Sequence, residues 1–206
     1  MGKKVNPVFL RLGKTTQYHS LWYSNKKQYF KNLKADILIK EILKKNLFFN
    51  NINDIDIIIS NLLKINIYFT ELSKIEDFLD HIDFLIIEIS NILKKNIIIN
   101  FVLEEDVNSK NLSFLILNQI NNKSSVKRII KKEVLKLISK FNGCKVQISG
   151  RLEGVDIARK EWYLFGSIPL HTIRNSIDYF FYETITQYGI LGIKTWIFKK
   201  NYETKT

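Results

Sequence analysis

Five cations recur at helical spacing between Ser124 and Phe141: Lys127, Arg128, Lys131, Lys132 and Lys136. Steps of one and four set these side chains along one face of an α-helix, a ladder of positive charge at helical pitch. Val126, Ile129, Ile130, Val134, Leu135 and Ile138 fall on the opposite face. A solvated face would be enough to explain lysines alone. Five like charges with only Glu133 among them repel one another, however, and a phosphate backbone relieves that repulsion. The spacing predicts RNA contact. A second group, Arg151, Arg159, Lys160 and Arg174, interleaves with Trp162, Tyr163 and Tyr179. Basic groups beside aromatic ones suit a nucleic-acid surface. The arginines are assigned to RNA, and Trp162 and Trp196 to packing.

Chemistry of other kinds has little to stand on. His171 lies near Glu161 and Asp178, but His19, His81 and His171 show no metal-ligand spacing and no pairing with cysteine. There is no phosphate-binding glycine loop, G-x-S-x-G or dinucleotide motif. Cys144 is the only cysteine, which excludes an internal disulfide and fits a reducing compartment. It sits in an apolar alternation, the setting of a small buried residue. No catalytic residue, metal or cofactor is expected. A metal-dependent nuclease using Glu161 and Asp178 is the weaker alternative, and a free-standing regulatory RNA-binding protein is the other.

These groups must be positioned by a chain of 206 residues, long enough to bury a core in one large or two small domains. Net charge is +12, unevenly spread. Residues 1–50 carry 11 cations against 2 acids, 51–120 carry 5 against 11, and 121–200 carry 15 against 6. Two anion-facing ends flank an acidic middle. The basic N-terminus lacks the apolar core of a signal peptide, and runs such as Ile57–Ile59 and Ile97–Ile99 are too short to span a bilayer, so no membrane partner is expected. Ile and Asn are abundant and Lys outnumbers Arg, as an AT-biased genome would encode. Where Lys is the default, a retained Arg (11, 128, 151, 159, 174) has a geometric reason in its planar fork.

Along the chain, residues 1–15 read as an extended basic arm. Residues 25–49 read as an amphipathic helix with Phe30, Leu33, Ile37, Ile42, Leu43 and Leu47 on its apolar face. Strands are predicted at 55–60, 65–70 and 97–103, with a helix capped by Ser73 running to Lys94. Helices at 109–119 and 124–141 follow, the second stopped by Asn142-Gly143 in left-handed conformation. A strand at 145–149, a short helix at 155–162 and strands at 176–187 and 190–199 complete an α+β chain. No glycine occurs between Gly13 and Gly143. A KH domain holds single-stranded backbone through a GXXG loop. The corresponding Tyr68–Lys74 stretch lacks glycine and adds an acid, so a KH-like domain here is expected to grip RNA poorly.

The chain resembles the bacterial and organellar-type small-subunit ribosomal protein S-three family. The match rests on Met-Gly-x-Lys-Val-x-Pro at the start, Arg11-Leu-Gly13, Ser20-Leu-Trp22, Ser149-Gly-Arg-Leu152, Ile157-Ala-Arg159, Glu161-Trp-Tyr163, Pro169-Leu-His-Thr-Ile-Arg174, Ile177-Asp-Tyr179 and Tyr188-Gly-Ile-Leu-Gly-Ile-Lys194. The start, Thr15-Thr-Gln17 and His19-Ser-Leu-Trp22 are most similar to plastid versions. The resemblance implies a type II KH-like domain, degenerate here, over 16–106 and a C-terminal α+β domain with a mostly antiparallel sheet over 107–206. It implies a structural constituent of the small-subunit head that binds ribosomal RNA, mRNA and neighbouring small-subunit proteins. Lys3, Lys4, Arg11, Arg151, Arg159, Lys160 and Arg174 would contact ribosomal RNA. Lys127, Arg128, Lys131 and Lys132 would line the channel through which mRNA enters. The expected location is an organellar ribosome, a plastid like an apicoplast, with a mitochondrion or an endosymbiont's cytoplasm as alternatives.

Overall fold

A computed structural model describes residues 4–46, 52–60, 62–69, 86–87, 89–90, 96–103, 108–121, 125–137 and 140–199. Two units divide the chain: Tyr18–Glu105, and Met1–Gln17 with Asp106–Thr206.

In the first unit β1 (Ser20–Trp22) precedes α2 (Lys26–Asn46), β2 (Ile52–Ile59), β3 (Leu63–Phe69) and β4 (Ile97–Leu103). The sheet order is β1-β2-β3-β4, with β2 and β3 antiparallel and the outer pairs parallel. Period-two alternation buries Leu63, Ile65, Ile67 and Phe69 on one face of β3. Ile57 and Ile59 of β2 join them, and Ile39 and Leu43, one helical turn apart, close the core from α2. The expected apolar face of this helix is corrected: Phe30 and Ile37 are exposed, and Ala35, Asp36, Ile39 and Leu43 point inward. A polar tie explains the rotation. Ser20 Oγ donates to both Asp36 carboxylate oxygens at 3.0 Å, and Lys40 Nζ donates to Ser20 Oγ at 2.6 Å, fixing Asp36 toward β1. The predicted Ser73–Lys94 helix lies largely outside the described residues.

The second unit opens with a short helix, α1 (Pro7–Arg11), begun by Asn6, whose side chain accepts from the Val8 amide at 2.9 Å. The arm is therefore partly helical. Next come α3 (Ser109–Asn121), α4 (Val126–Leu137), β5 (Phe141–Gly150), β6 (Arg159–Gly166), β7 (Ile177–Thr186) and β8 (Gly189–Lys199). The strands form a wholly antiparallel sheet in the order β6-β5-β8-β7. One face packs on both helices through Leu112, Ile116, Ile129, Ile130, Val134, Cys144, Val146, Ile148, Ile193 and Ile197. The Ser109 amide donates to Asp178 Oδ2 at 2.7 Å, so a β7 carboxylate caps α3.

Two local expectations fail here. The helix expected at 155–162 is replaced by a turn at Leu152–Gly154 and by β6, whose residues alternate between half-buried and exposed. Asn142-Gly143 does not end a helix but lies inside β5, and α4 stops at Leu137. Gly143 is needed for closeness, because a Cβ there would lie 2.1 Å from the Ser167 carbonyl oxygen. Among the described residues no helix is long and apolar enough to cross a membrane.

Candidate nucleic-acid interface

On α4 the two faces separate cleanly. Ile129, Ile130 and Val134 are buried, while Lys127, Arg128, Lys131, Lys132 and Lys136 are exposed. Glu133 is buried and accepts from Lys136 Nζ at 2.9 Å. Among the described residues the other four cations have no acidic partner. Leu135, expected inside, is 49% exposed and stands in the charged face. The side chains of Val126 and Ile138 lie outside the described residues.

The second constellation is dispersed. Arg151 Nε donates to the Val155 carbonyl at 2.9 Å, and its guanidinium lies 3.5 Å from Asp156. Arg159 pairs with Glu161 at 3.0 Å and remains half-exposed. Arg159 and Lys160 border a hollow of ≈ 350 Å³ that also holds Ser149, Phe181 and Glu183. Arg174 is exposed beside Lys14. Lys4 is exposed, and Lys3 lies outside the described residues.

Arg11 overturns its assignment. Its side chain is fully buried and donates to backbone carbonyls: Nε to Asn175 at 2.8 Å, Nη1 to Pro7 at 3.1 Å, and Nη2 to Leu170 at 3.1 Å and Thr172 at 3.0 Å, with Pro169 at 3.5 Å. The fork geometry that singled this arginine out is used, but on the chain's own carbonyls. With its side chain wholly buried, the guanidinium is out of a phosphate's reach.

The sheet face opposite α3 and α4 carries residues that sequence reasoning missed. Lys145 Nζ lies between two indoles, 5.3 Å from the Trp162 ring centre and 5.2 Å from that of Trp196. Such contacts stabilise by about 0.5–1 kcal/mol where partly exposed. Burial lowers the Lys145 pKa, and nearby Lys4 adds to the effect. Lys194 lies 5.2 Å over Phe181. Trp162 is 60% exposed, so its assignment to packing is corrected, whereas Trp196 is half-buried against Tyr179 at 5.2 Å. The signal was available: Lys145 and Lys194 alternate with buried Cys144, Val146, Ile193 and Thr195, which sets them on the face opposite the core.

No catalytic group assembles from the residues considered for one. Glu161 on β6 and Asp178 on β7 occupy opposite edges of the sheet, three interstrand spacings apart. Asp178 lies four residues along the strand from Tyr182, the β7 residue level with Glu161, so about 20 Å separates them. Tyr163 donates to Glu161 Oε2 at 2.8 Å, and its phenol is pushed up to about 12, first by burial and then by that bond. Asp178 caps α3, and His171 sits on the 167–176 loop. Burial pushes the Cys144 thiol up to about 12, which keeps it protonated and poorly nucleophilic. The Thr70–Lys74 part of the expected KH loop lies outside the described residues.

The family profile described as Ribosomal protein S3, C-terminal domain, matches residues 116–197. Small ribosomal subunit protein uS3 of Carsonella ruddii is 56% identical over 203 residues, covering 98% of this chain and 100% of that protein. The uS3 of Wigglesworthia glossinidia brevipalpis is 39% identical, covering 97% of this chain and 86% of its own length. That of Marinobacter nauticus is 36% identical, covering 97% and 90%.

Proposed function

Since the chain belongs to the small ribosomal subunit protein uS3 family, we propose that its α4 ladder lines the channel through which mRNA enters the subunit. The protein is a structural constituent of the small ribosomal subunit. The supporting observation is the division of α4, where Lys127, Arg128, Lys131 and Lys132 stand exposed above the buried Ile129, Ile130 and Val134. Cations held in a row by a packed helix neutralise successive phosphates without reading bases, as a channel for any message requires.

Ribosomal RNA is contacted by Lys3, Lys4, Arg151, Arg159, Lys160 and Arg174, and the role is positional rather than enzymatic. The gene belongs to a bacterial endosymbiont, the alternative that a 56% identical relative from a reduced-genome endosymbiont supports over a plastid. Lys127→Glu with Arg128→Glu should slow translation through a stable mRNA hairpin at least fivefold relative to an unstructured message. Subunit assembly, measured by sedimentation, should be near normal. Equal loss of both, or of neither, overturns the channel assignment. A chain that stays in the light fractions in magnesium-containing buffer would instead be a free-standing RNA-binding regulator.

A further inference from the structure

We propose that the hollow of ≈ 640 Å³ lined by Lys14, Thr15, His171, Thr172, Ile173 and Arg174 is a preformed seat for one backbone phosphodiester of ribosomal RNA. The proposal rests on the ribosomal reading above and adds a site to it, since Lys14, Thr15 and His171 are not among the RNA contacts of that reading. Both walls are built from Arg11. Its guanidinium gathers the carbonyls of Pro169, Leu170, Thr172 and Asn175, which shapes the His171–Arg174 wall. Its own carbonyl accepts from the amides of Lys14, Thr15 and Thr16 at 3.1, 3.1 and 3.3 Å, which folds the Lys14–Thr15 wall. Gly13, at φ 78°, allows that tight reversal.

The electrostatics follow from the same residue. Arg11 remains charged, and among the described residues it touches carbonyl oxygens but no carboxylate. A fixed positive charge therefore lies at the root of both walls, with Lys14 and Arg174 exposed on them and no acidic side chain in the lining. Thr15, Thr172 and His171 supply further hydrogen-bonding groups. A site organised before its ligand arrives loses less freedom on binding than mobile surface lysines would. One anionic group fits this chemistry, and the RNA backbone supplies it.

The test measures binding of the full-length chain to small-subunit particles assembled without it, across a salt series. Lys14→Gln with Arg174→Gln, both exposed and outside the core, should flatten the dependence of log K on log salt by about 0.8, the share of one neutralised phosphate. An unchanged slope in a variant that binds overturns the site. Wild-type binding without salt dependence would overturn the site and the RNA-binding reading together. A second measurement tethers an iron chelate to Thr15→Cys, feasible because native Cys144 is buried. Cleavage of ribosomal RNA at one locus is expected. If the tethered chelate cleaves no RNA while the labelled protein still enters particles, a protein neighbour fills the hollow and the proposal fails.

Discussion

Residues 18–105 and the remainder of the chain each present a four-stranded sheet, yet they treat charge in opposite ways. The first unit carries 11 cations and 12 acids; the second carries 21 and 8. In the first, charges meet inside the unit. Lys40 pairs with Asp36, and Asp56 accepts from Tyr68 at 2.9 Å while bonding His19 at 2.8 Å. In the second, Lys136, Arg151 and Arg159 find carboxylates, but Lys127, Arg128, Lys131, Lys132, Lys4, Lys160 and Arg174 face outward, and the one fully buried arginine bonds to carbonyls. Glycine divides the same way, with all eight in the second unit. One unit balances its own charge. The other carries an excess whose self-repulsion opposes a compact state and which a polyanion would offset.

The largest expected effect probes the glycine contrast. Gly143→Ala forces a Cβ into the Ser167 carbonyl and should destabilise the second unit by about 3 kcal/mol. Amide exchange would quicken across β5–β8 while β2–β4 keep their protection. Equal loss in both units would break the comparison.

A smaller effect belongs to Asp178. Replacing it with Ala removes the acceptor for the Ser109 amide and should cost about 1 kcal/mol, seen as faster exchange in the first turn of α3. Asp178→Asn retains an acceptor and should recover most of the loss. If Asn is as damaging as Ala, charge rather than capping is what matters there.

The smallest effect lies in the self-balanced unit. The hydrogen bond to Asp56 raises the His19 pKa above 6.5, against burial, which lowers it. The protonated form is thus favoured by folding. The contribution is fully present below about pH 6.5 and fades as pH rises through the folded value. His19 is about half exposed, so solvent weakens the pair. The stability difference between wild type and His19→Gln should be larger at about pH 5.5 than at about pH 8.5. A difference that does not change with pH would remove this pair from the charge balance.

Periodicity made much of this legible. The split of α4 and six of the eight described strands follow from period-3.6 and period-two burial, β1 and β6 being the exceptions, and Cys144 sits where alternation put it. Errors arose where a tertiary contact decides. Residues 155–162 read as a short helix because the edge strand that begins at Arg159, half in solvent, tolerates Arg, Lys and Glu beside Trp and Tyr. Gly143 looks like a helix stop because nothing nearby in sequence announces Ser167. Asp36 turns α2 through a strand sixteen residues earlier. Arg11 does have a geometric task, but apart from Pro7 its partners lie more than 150 residues away, beyond any local pattern.

That separation orders events during the protein's own synthesis. Arg11 emerges early, yet its Asn175 acceptor follows 164 residues later. Until then its segment has no loop to clasp, while Tyr18–Glu105 already has every strand it needs. Closing so long a span is the slow, high-contact-order step. On the growing polypeptide this clasp can form only after Asn175 has been added, when all of Tyr18–Glu105 is already present.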